Sequence, residues 1–170
     1  TPDSSAKAFD LPVPEGLTPA YFLKLQLHDA AGKLVSDNFY WLSTKPDVLD
    51  WAGRKDTVYT PQKEFADLTG LNGLPKAKVA ITKTIHASGR DSSLTVMTKN
   101  LSPSVAFMVH LRLTRGKSGE DVTPIFWSDN YFSLLPGEKK TVTARFDLSS
   151  LDGAAPELVA DGWNVEPTAP

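Results

Sequence analysis

Cysteine is absent from the chain, and with it go disulfide bridges, thiolate zinc sites and cysteine nucleophiles. Neither sign of charge is in excess: 18 Lys and Arg face 20 Asp and Glu, for a formal net charge of −2. No Lys/Arg run occurs, so the broad basic field that nucleic acid requires is missing. Apolar runs fall far short of the ~20 residues a membrane span needs. The opening TPDSSAKAFD lacks the basic and then apolar regions of a signal peptide. Histidine is scarce, and His28, His86 and His110 stand at no spacing a metal site uses. We therefore expect no metal, no cofactor, no nucleic acid and no membrane as partner.

What is present is an ordinary globular composition, 41% hydrophobic and 22% charged over 170 residues. The first periodic segment is Tyr21-Phe22-Leu23-Lys24-Leu25-Gln26-Leu27, in which Leu23, Leu25 and Leu27 alternate with Lys24 and Gln26. That is the pattern of a half-buried strand. Asp29-Ala30-Ala31-Gly32-Lys33 supplies a turn and LVSDNFYWL a returning strand, which predicts a β-hairpin over residues 20–44. Residues 45–75 carry Pro46, Gly53, Pro61, Gly70, Gly73 and Pro75 with no period running through them. So long a structureless loop inside one compact domain is unusual, and the segment reads as a linker between modules.

From residue 77 the rhythm is regular. Strands are predicted at 78–86, 92–99, 105–114, 125–135, 140–147 and 162–165. Between them lie turn-forming stretches such as Ser88-Gly89-Arg90-Asp91, Arg115-Gly116-Lys117-Ser118-Gly119 and Pro136-Gly137-Glu138. Val105, Phe107, Val109, Leu111 and Leu113 should form one apolar face, with Ala106, Met108, His110 and Arg112 on the other. The reading is all-β: an immunoglobulin-like antiparallel β-sandwich over residues 76–165, preceded by a β-hairpin and an irregular linker. Residues 1–19 read as an extended tail and residues 166–170 as a tail.

Several short motifs invite chemistry. Ser128-Asp129-Asn130, with Ser4-Ser5-Ala6-Lys7 and Lys140-Thr141-Val142, echoes the serine β-lactamase set, but the helical context such a nucleophile needs is missing. Gly116-Lys117-Ser118 echoes a phosphate loop, yet position 111 is Leu rather than Gly. Asn100-Leu101-Ser102 is a formal glycosylation sequon. Carboxylate pairs such as Asp47 with Asp50 or Glu120 with Asp121 could in principle flank a glycosidic bond; solvated loop acids are the plainer reading.

The aromatic clusters remain: Phe39-Tyr40-Trp41, Trp51 with Tyr59, and Phe126-Trp127 with Tyr131-Phe132. Adjacent residues on a strand face opposite ways, so one member of each pair leaves its own core, to meet a neighbouring domain or to stack on a sugar. Trp41, Trp51, Tyr59, Trp127, Asp129, Asn130 and Tyr131 are the candidate interface or sugar-contact residues. The Asp129 and Asn130 side chains are expected to bond to nearby backbone rather than take part in chemistry.

Against this pattern the chain resembles glycoside hydrolase family 2 exo-β-D-glucosaminidases and related β-mannosidases. Tyr21-Phe22-Leu23-Lys24-Leu25 with Asn38-Phe39-Tyr40-Trp41-Leu42-Ser43 is similar to the closing hairpin of their fourth domain. Lys45-Pro46-Asp47-Val48-Leu49-Asp50-Trp51 and Phe65-Ala66-Asp67-Leu68-Thr69-Gly70-Leu71 look like the link to their fifth. Pro124-Ile125-Phe126-Trp127-Ser128-Asp129-Asn130-Tyr131, Leu134-Leu135-Pro136-Gly137-Glu138 and Gly162-Trp163-Asn164-Val165 resemble motifs of that immunoglobulin-like fifth domain. The resemblance implies a retaining β-glycosidase acting through two glutamates on a central (β/α)8 barrel, a unit of about 250 residues with eight strand–helix repeats. None of those repeats has a counterpart here, so no catalytic residue is carried over. It implies an accessory module whose partners are the catalytic barrel and other domains of a parent enzyme, working on chitosan or mannose-containing glycans in a secreted or periplasmic setting. The alternative is a carbohydrate-binding module stacking sugars on exposed aromatics. A protein-binding sandwich with no enzyme attached is a third reading.

Overall fold

The hairpin follows most directly from its alternation. In the computed structural model, which describes residues 3–56, 58–117 and 119–169, Ala20–His28 (β1) pairs antiparallel with Leu34–Ser43 (β2). Asp29 closes the turn: its carboxylate accepts the Ala31 and Lys33 N–H groups, each at 2.9 Å, as Asx turns do. Phe22 and Phe39 pack with ring centroids 5.3 Å apart. Leu27, Val35, Tyr40 and Trp41 are exposed, and Tyr40 and Trp41, being adjacent, lie on opposite faces. A two-stranded ribbon that shows apolar residues on both faces is at best marginal in water by itself.

The chain divides into two compact units, one up to Gly73 and one from Leu74 onward. In the first, the segment expected to be an irregular linker contains Val48–Leu49 (β3), paired antiparallel with Gln62–Glu64 (β4), and a 3-10 turn, Thr69–Gly73 (η1). Strands of two and three residues are too short to carry an alternation, which is why the segment reads as patternless. Carboxylates hold its loops: Asp47 accepts the Ala66 N–H at 2.9 Å, Asp50 that of Gly53 at 2.9 Å, and Asp56 those of Val58 and Tyr59 at 2.9 and 2.8 Å. The start of β1 lies against η1, where Gly70 faces Ala20, so η1 supplies part of the cover the hairpin requires.

The second unit is a sandwich of two antiparallel sheets. Val79–His86 (β5), Ser92–Asn100 (β6), Lys139–Phe146 (β10) and Ile125–Trp127 (β8) form one, in the order β5-β6-β10-β8. Pro156–Asp161 (β11), Ala106–Arg115 (β7) and Phe132–Leu134 (β9) form the other, in the order β11-β7-β9. Val79, Ile81, Leu94, Val96, Val142, Ala144 and Phe146 from the first sheet meet Val109, Leu111, Leu113, Leu134, Leu158 and Ala160 from the second in one buried core. The alternation of Val142, Ala144 and Phe146 with exposed Thr141, Thr143 and Arg145 holds along β10.

Three expectations need correction. The strand predicted over 125–135 is two strands, β8 and β9, in different sheets. The strand predicted at 162–165 is not one. The last strand is β11, masked in the sequence by Pro156 at its head, and Val165 makes only a parallel bridge to Ala77. Gly162, just past the end of β11, runs so close to β7 that a Cβ there would lie 2.8 Å from the Met108 carbonyl. The third correction is in β7. Its register shifts between Ala106 and Val109, with Met108 at φ +55°. This bulge puts Ala106 into the core cluster and leaves Phe107 out of it. Phe107 is instead buried under Trp163, ring centroids 6.3 Å apart and edge-on.

Candidate functional site

The residues singled out from the sequence fall in two places. Trp41 is in β2, and Trp51 and Tyr59 are in the loop between β3 and β4, exposed at 66% and 67%. Trp127, Asp129, Asn130 and Tyr131 belong to the sandwich. There the chain leaves one sheet at β8 and enters the other at β9.

Two side chains make that crossover by imitating backbone. Ser128 continues the pairing of β8 with β10: its N–H donates to the Thr143 carbonyl at 2.7 Å, and its Oγ accepts the Thr143 N–H at 2.9 Å. Two residues on, Asn130 takes up the other sheet. Its Oδ1 accepts the Leu111 N–H at 2.8 Å and its Nδ2 donates to the Leu111 carbonyl at 3.0 Å. The amide thus offers β7 the donor and acceptor a strand residue would. Asp129 does not bond to backbone as expected; it pairs with Lys140 at 2.6 Å. Trp127 packs against the core cluster, and Phe126 is the ring that leaves it, 69% exposed. Ser-Asp-Asn is therefore a sheet-switching device.

The crossover ends at Tyr131, which sits at φ +57°. For a bulky residue that region is strained by about 1–3 kcal/mol. Its ring lies flat on His110, with centroids 4.4 Å apart and planes 8° from parallel, yet stays 55% exposed. His110 is held from the side: its Nδ1 lies 3.0 Å from Asp161 Oδ1, its register partner on β11. Arg112, two residues along β7, donates from Nε to Asp121 at 2.9 Å, and its other arm lies 3.8 Å from Asp161. Beyond Arg112 is a shallow depression of about 390 Å³, lined also by Lys117, Glu157 and Val159. His110, Arg112 and Asp161 were missed as site residues. The first two were legible as the polar face of β7; Asp161 was hidden in the unpredicted strand.

The decoy motifs are spent on structure. Asn100 is fully buried, and its Nδ2 donates to the Ser104, Leu134 and Leu135 carbonyls, so the sequon carries no free amide. Lys140-Thr141-Val142 is interior to β10. The phosphate-loop echo ends at Ser118, which lies outside the described residues. Glu120 and Asp121 pair with Arg115 and Arg112. Hydrogen bonds from Gly53 to Asp50, from Tyr59 and Val58 to Asp56, from Thr69 to Asp67 and from Ser149 to Asp147 pull all four carboxyls below their ordinary range. A glycosidic acid needs the opposite shift. No group of three or more His, Cys, Asp or Glu suited to a metal occurs among the described residues. No helix among them is long and apolar enough to cross a membrane.

Comparison with known proteins now bears on this geometry. The profile of the exo-beta-D-glucosaminidase Ig-fold domain matches residues 57–165. An exo-beta-D-glucosaminidase of Amycolatopsis orientalis is 42% identical over 165 residues, which take in 95% of this chain and 16% of that protein. One from Streptomyces avermitilis is 42% identical over 161 residues, 91% of this chain and 17% of its own. A mannosylglycoprotein endo-beta-mannosidase of Lilium longiflorum is 36% identical over 186 residues, covering 86% of this chain and 19% of that one. The crystal structure of Amycolatopsis orientalis exo-chitosanase CsxA superposes with a TM-score of 0.87 at 40% identity, over 97% of this chain and 20% of the other. The chain spans about a sixth of the length of the curated relatives it matches.

Proposed function

The chain belongs to the Ig-fold domain family of exo-β-D-glucosaminidases, and from that premise we propose that it is the non-catalytic accessory end of a family 2 glycoside hydrolase. In this reading residues 76–165 are the enzyme's immunoglobulin-like fifth domain. Residues 20–44 are the closing hairpin of the domain before it, and residues 45–75 join the two. The observation that carries the reading is the match of 97% of this chain to 20% of an exo-chitosanase. The exposed apolar surface of the hairpin, with Leu27 61% and Val35 60% exposed, supports it as well. A surface of this kind is covered when an adjoining domain packs on it.

The parent enzyme would be a retaining β-glycosidase that trims β-D-glucosamine polymers, with both glutamates on its barrel. Its polymeric substrate would lie outside the cell or in the periplasm, and the enzyme with it. The role of this region would be to hold the barrel folded. The test is a pair of measurements. The isolated 170-residue chain should release no p-nitrophenol from p-nitrophenyl β-D-glucosaminide, whereas the full polypeptide should. Deleting this region from the full polypeptide should lower its Tm. Turnover by the isolated chain, or a parent polypeptide without a (β/α)8 barrel, would overturn the assignment.

A further inference from the structure

We propose that the Tyr131–His110 stack is an ancillary sugar-contact site, taking one glucosaminyl residue of the polymer on the open face of the Tyr131 ring. The identity of the sugar rests on the glycosidase reading above; the site itself rests on geometry. One face of the ring is covered by His110 at 4.4 Å while the side chain remains 55% exposed, which leaves the other face to solvent. An aromatic ring offers the C–H face of a pyranose a flat apolar surface. Polar groups at its rim then fix orientation, as in other small-ligand sites. Here Asp161 is bonded to His110, the ring under Tyr131, and Arg112 reaches both Asp161 and Asp121; Asp161 and Arg112 are each about a third exposed. Carboxylates accept from an ammonium or hydroxyl, and a guanidinium donates to hydroxyls.

Three features mark the ring as placed for use. Its backbone is strained at φ +57°, and strain of this kind persists where the surroundings over-determine it, most often at functional positions. Those surroundings are Asn130, doubly bonded to Leu111, and His110, fixed by Asp161. The charged groups beside His110 also argue against a dry contact with another domain, because interface cores are depleted of charge. The other exposed rings of the sandwich stand differently: Trp163 meets its neighbour Phe107 edge-on, and Phe126 stands on the opposite sheet.

The experiment is an NMR titration of the 170-residue chain with glucosamine hexasaccharide and, separately, cellohexaose. The expected result is a set of shifts centred on the Tyr131, His110 and Asp161 amides, with an affinity on the order of 1 mM for the amino sugar. Cellohexaose should bind more weakly, since it lacks the ammonium. Tyr131→Ala should weaken binding about tenfold, a loss typical of removing one stacking ring. Tyr131→Phe and Phe126→Ala should leave it within about twofold of the starting affinity. Tyr131→Gly relieves the strained φ and should lose the sugar while keeping Tm. Absence of shifts, unaltered binding by Tyr131→Ala, or a Tm fall beyond about 5 °C in Tyr131→Gly would overturn the site. Equal binding of the two oligosaccharides would overturn the amino-sugar assignment. Loss of the sandwich site alone would leave the accessory role standing, because that role is read from the Tm of the full polypeptide.

Discussion

Replacing Asn164 by alanine should be among the most damaging single changes in the sandwich. The side chain is 2% exposed and satisfies three backbone groups far apart in sequence. Its Oδ1 accepts the Phe107 N–H at 2.8 Å, and its Nδ2 donates to the Pro75 carbonyl at 2.7 Å and the Val105 carbonyl at 2.8 Å. Alanine leaves all three without that partner. The Phe107 N–H is buried and takes the full penalty of an unmet donor, about 1–3 kcal/mol; the two partly buried carbonyls lose about 1 kcal/mol each. The sum is about 3–5 kcal/mol, against a total of about 5–15 kcal/mol for a domain of this kind. At about 4–8 °C per kcal/mol, Tm should fall by about 12–40 °C. The assay is thermal and urea unfolding followed by circular dichroism and by the fluorescence of Trp127, which packs on the core. A fall of less than about 5 °C would refute the reasoning, since water or a shifted backbone would then be meeting those groups. Asn164→Asp sharpens the test. It keeps the acceptor but turns a second oxygen toward two carbonyls, and burial holds its pKa above the unfolded value. The folded state then binds the extra proton, so this variant should be more stable at pH 5 than at pH 8.

Asn130→Ala should cost about 2 kcal/mol for the lost pair of bonds to Leu111, and should raise hydrogen exchange at the Leu111 amide while leaving β5 and β6 protected. Acid should loosen the loop over residues 50–69 before the sandwich. Asp50 and Asp56 are held below the ordinary value of 3.8 by the N–H groups they accept, and Asp67 by the Thr69 hydroxyl and then the Thr69 N–H, so their contribution is complete above that value and is lost as pH falls through the lowered one. Amide exchange at Gly53, Val58, Tyr59 and Thr69 should report this below about pH 4, and unchanged protection there would count against it. Phe126→Ser should change stability by no more than about 0.5 kcal/mol, whereas Trp127→Ala, on the same strand but packed on the core, should cost about 3 kcal/mol.

How much was legible depended on whether a signal is local. The hairpin was, because Leu23, Leu25 and Leu27 alternate along β1 and Asp29 and Gly32 turn the chain within five residues. The core of β10 was as well. The two strands inside 125–135 were not, because the residues that separate them work through Thr143 and Leu111, which the local pattern does not reveal. The bulge at Met108 and the strand headed by Pro156 escaped for the same reason, so Phe107 was assigned to the core and Asp161 was overlooked.

What the sequence by itself determined is therefore the class and the order of the fold: an all-β chain without cysteine chemistry, a hairpin followed by an antiparallel sandwich. Period-two alternation and turn chemistry are properties of neighbours along the chain, and they survive without coordinates. Only the tertiary structure decided the sheet switch at Ser128–Asn130 and the stacking of Tyr131 on His110. It also set the clamp of Asn164 on residues 75, 105 and 107. Those depend on groups brought together from 15 to 89 positions apart, and a side-chain amide has no pattern in sequence that says which distant backbone it will satisfy.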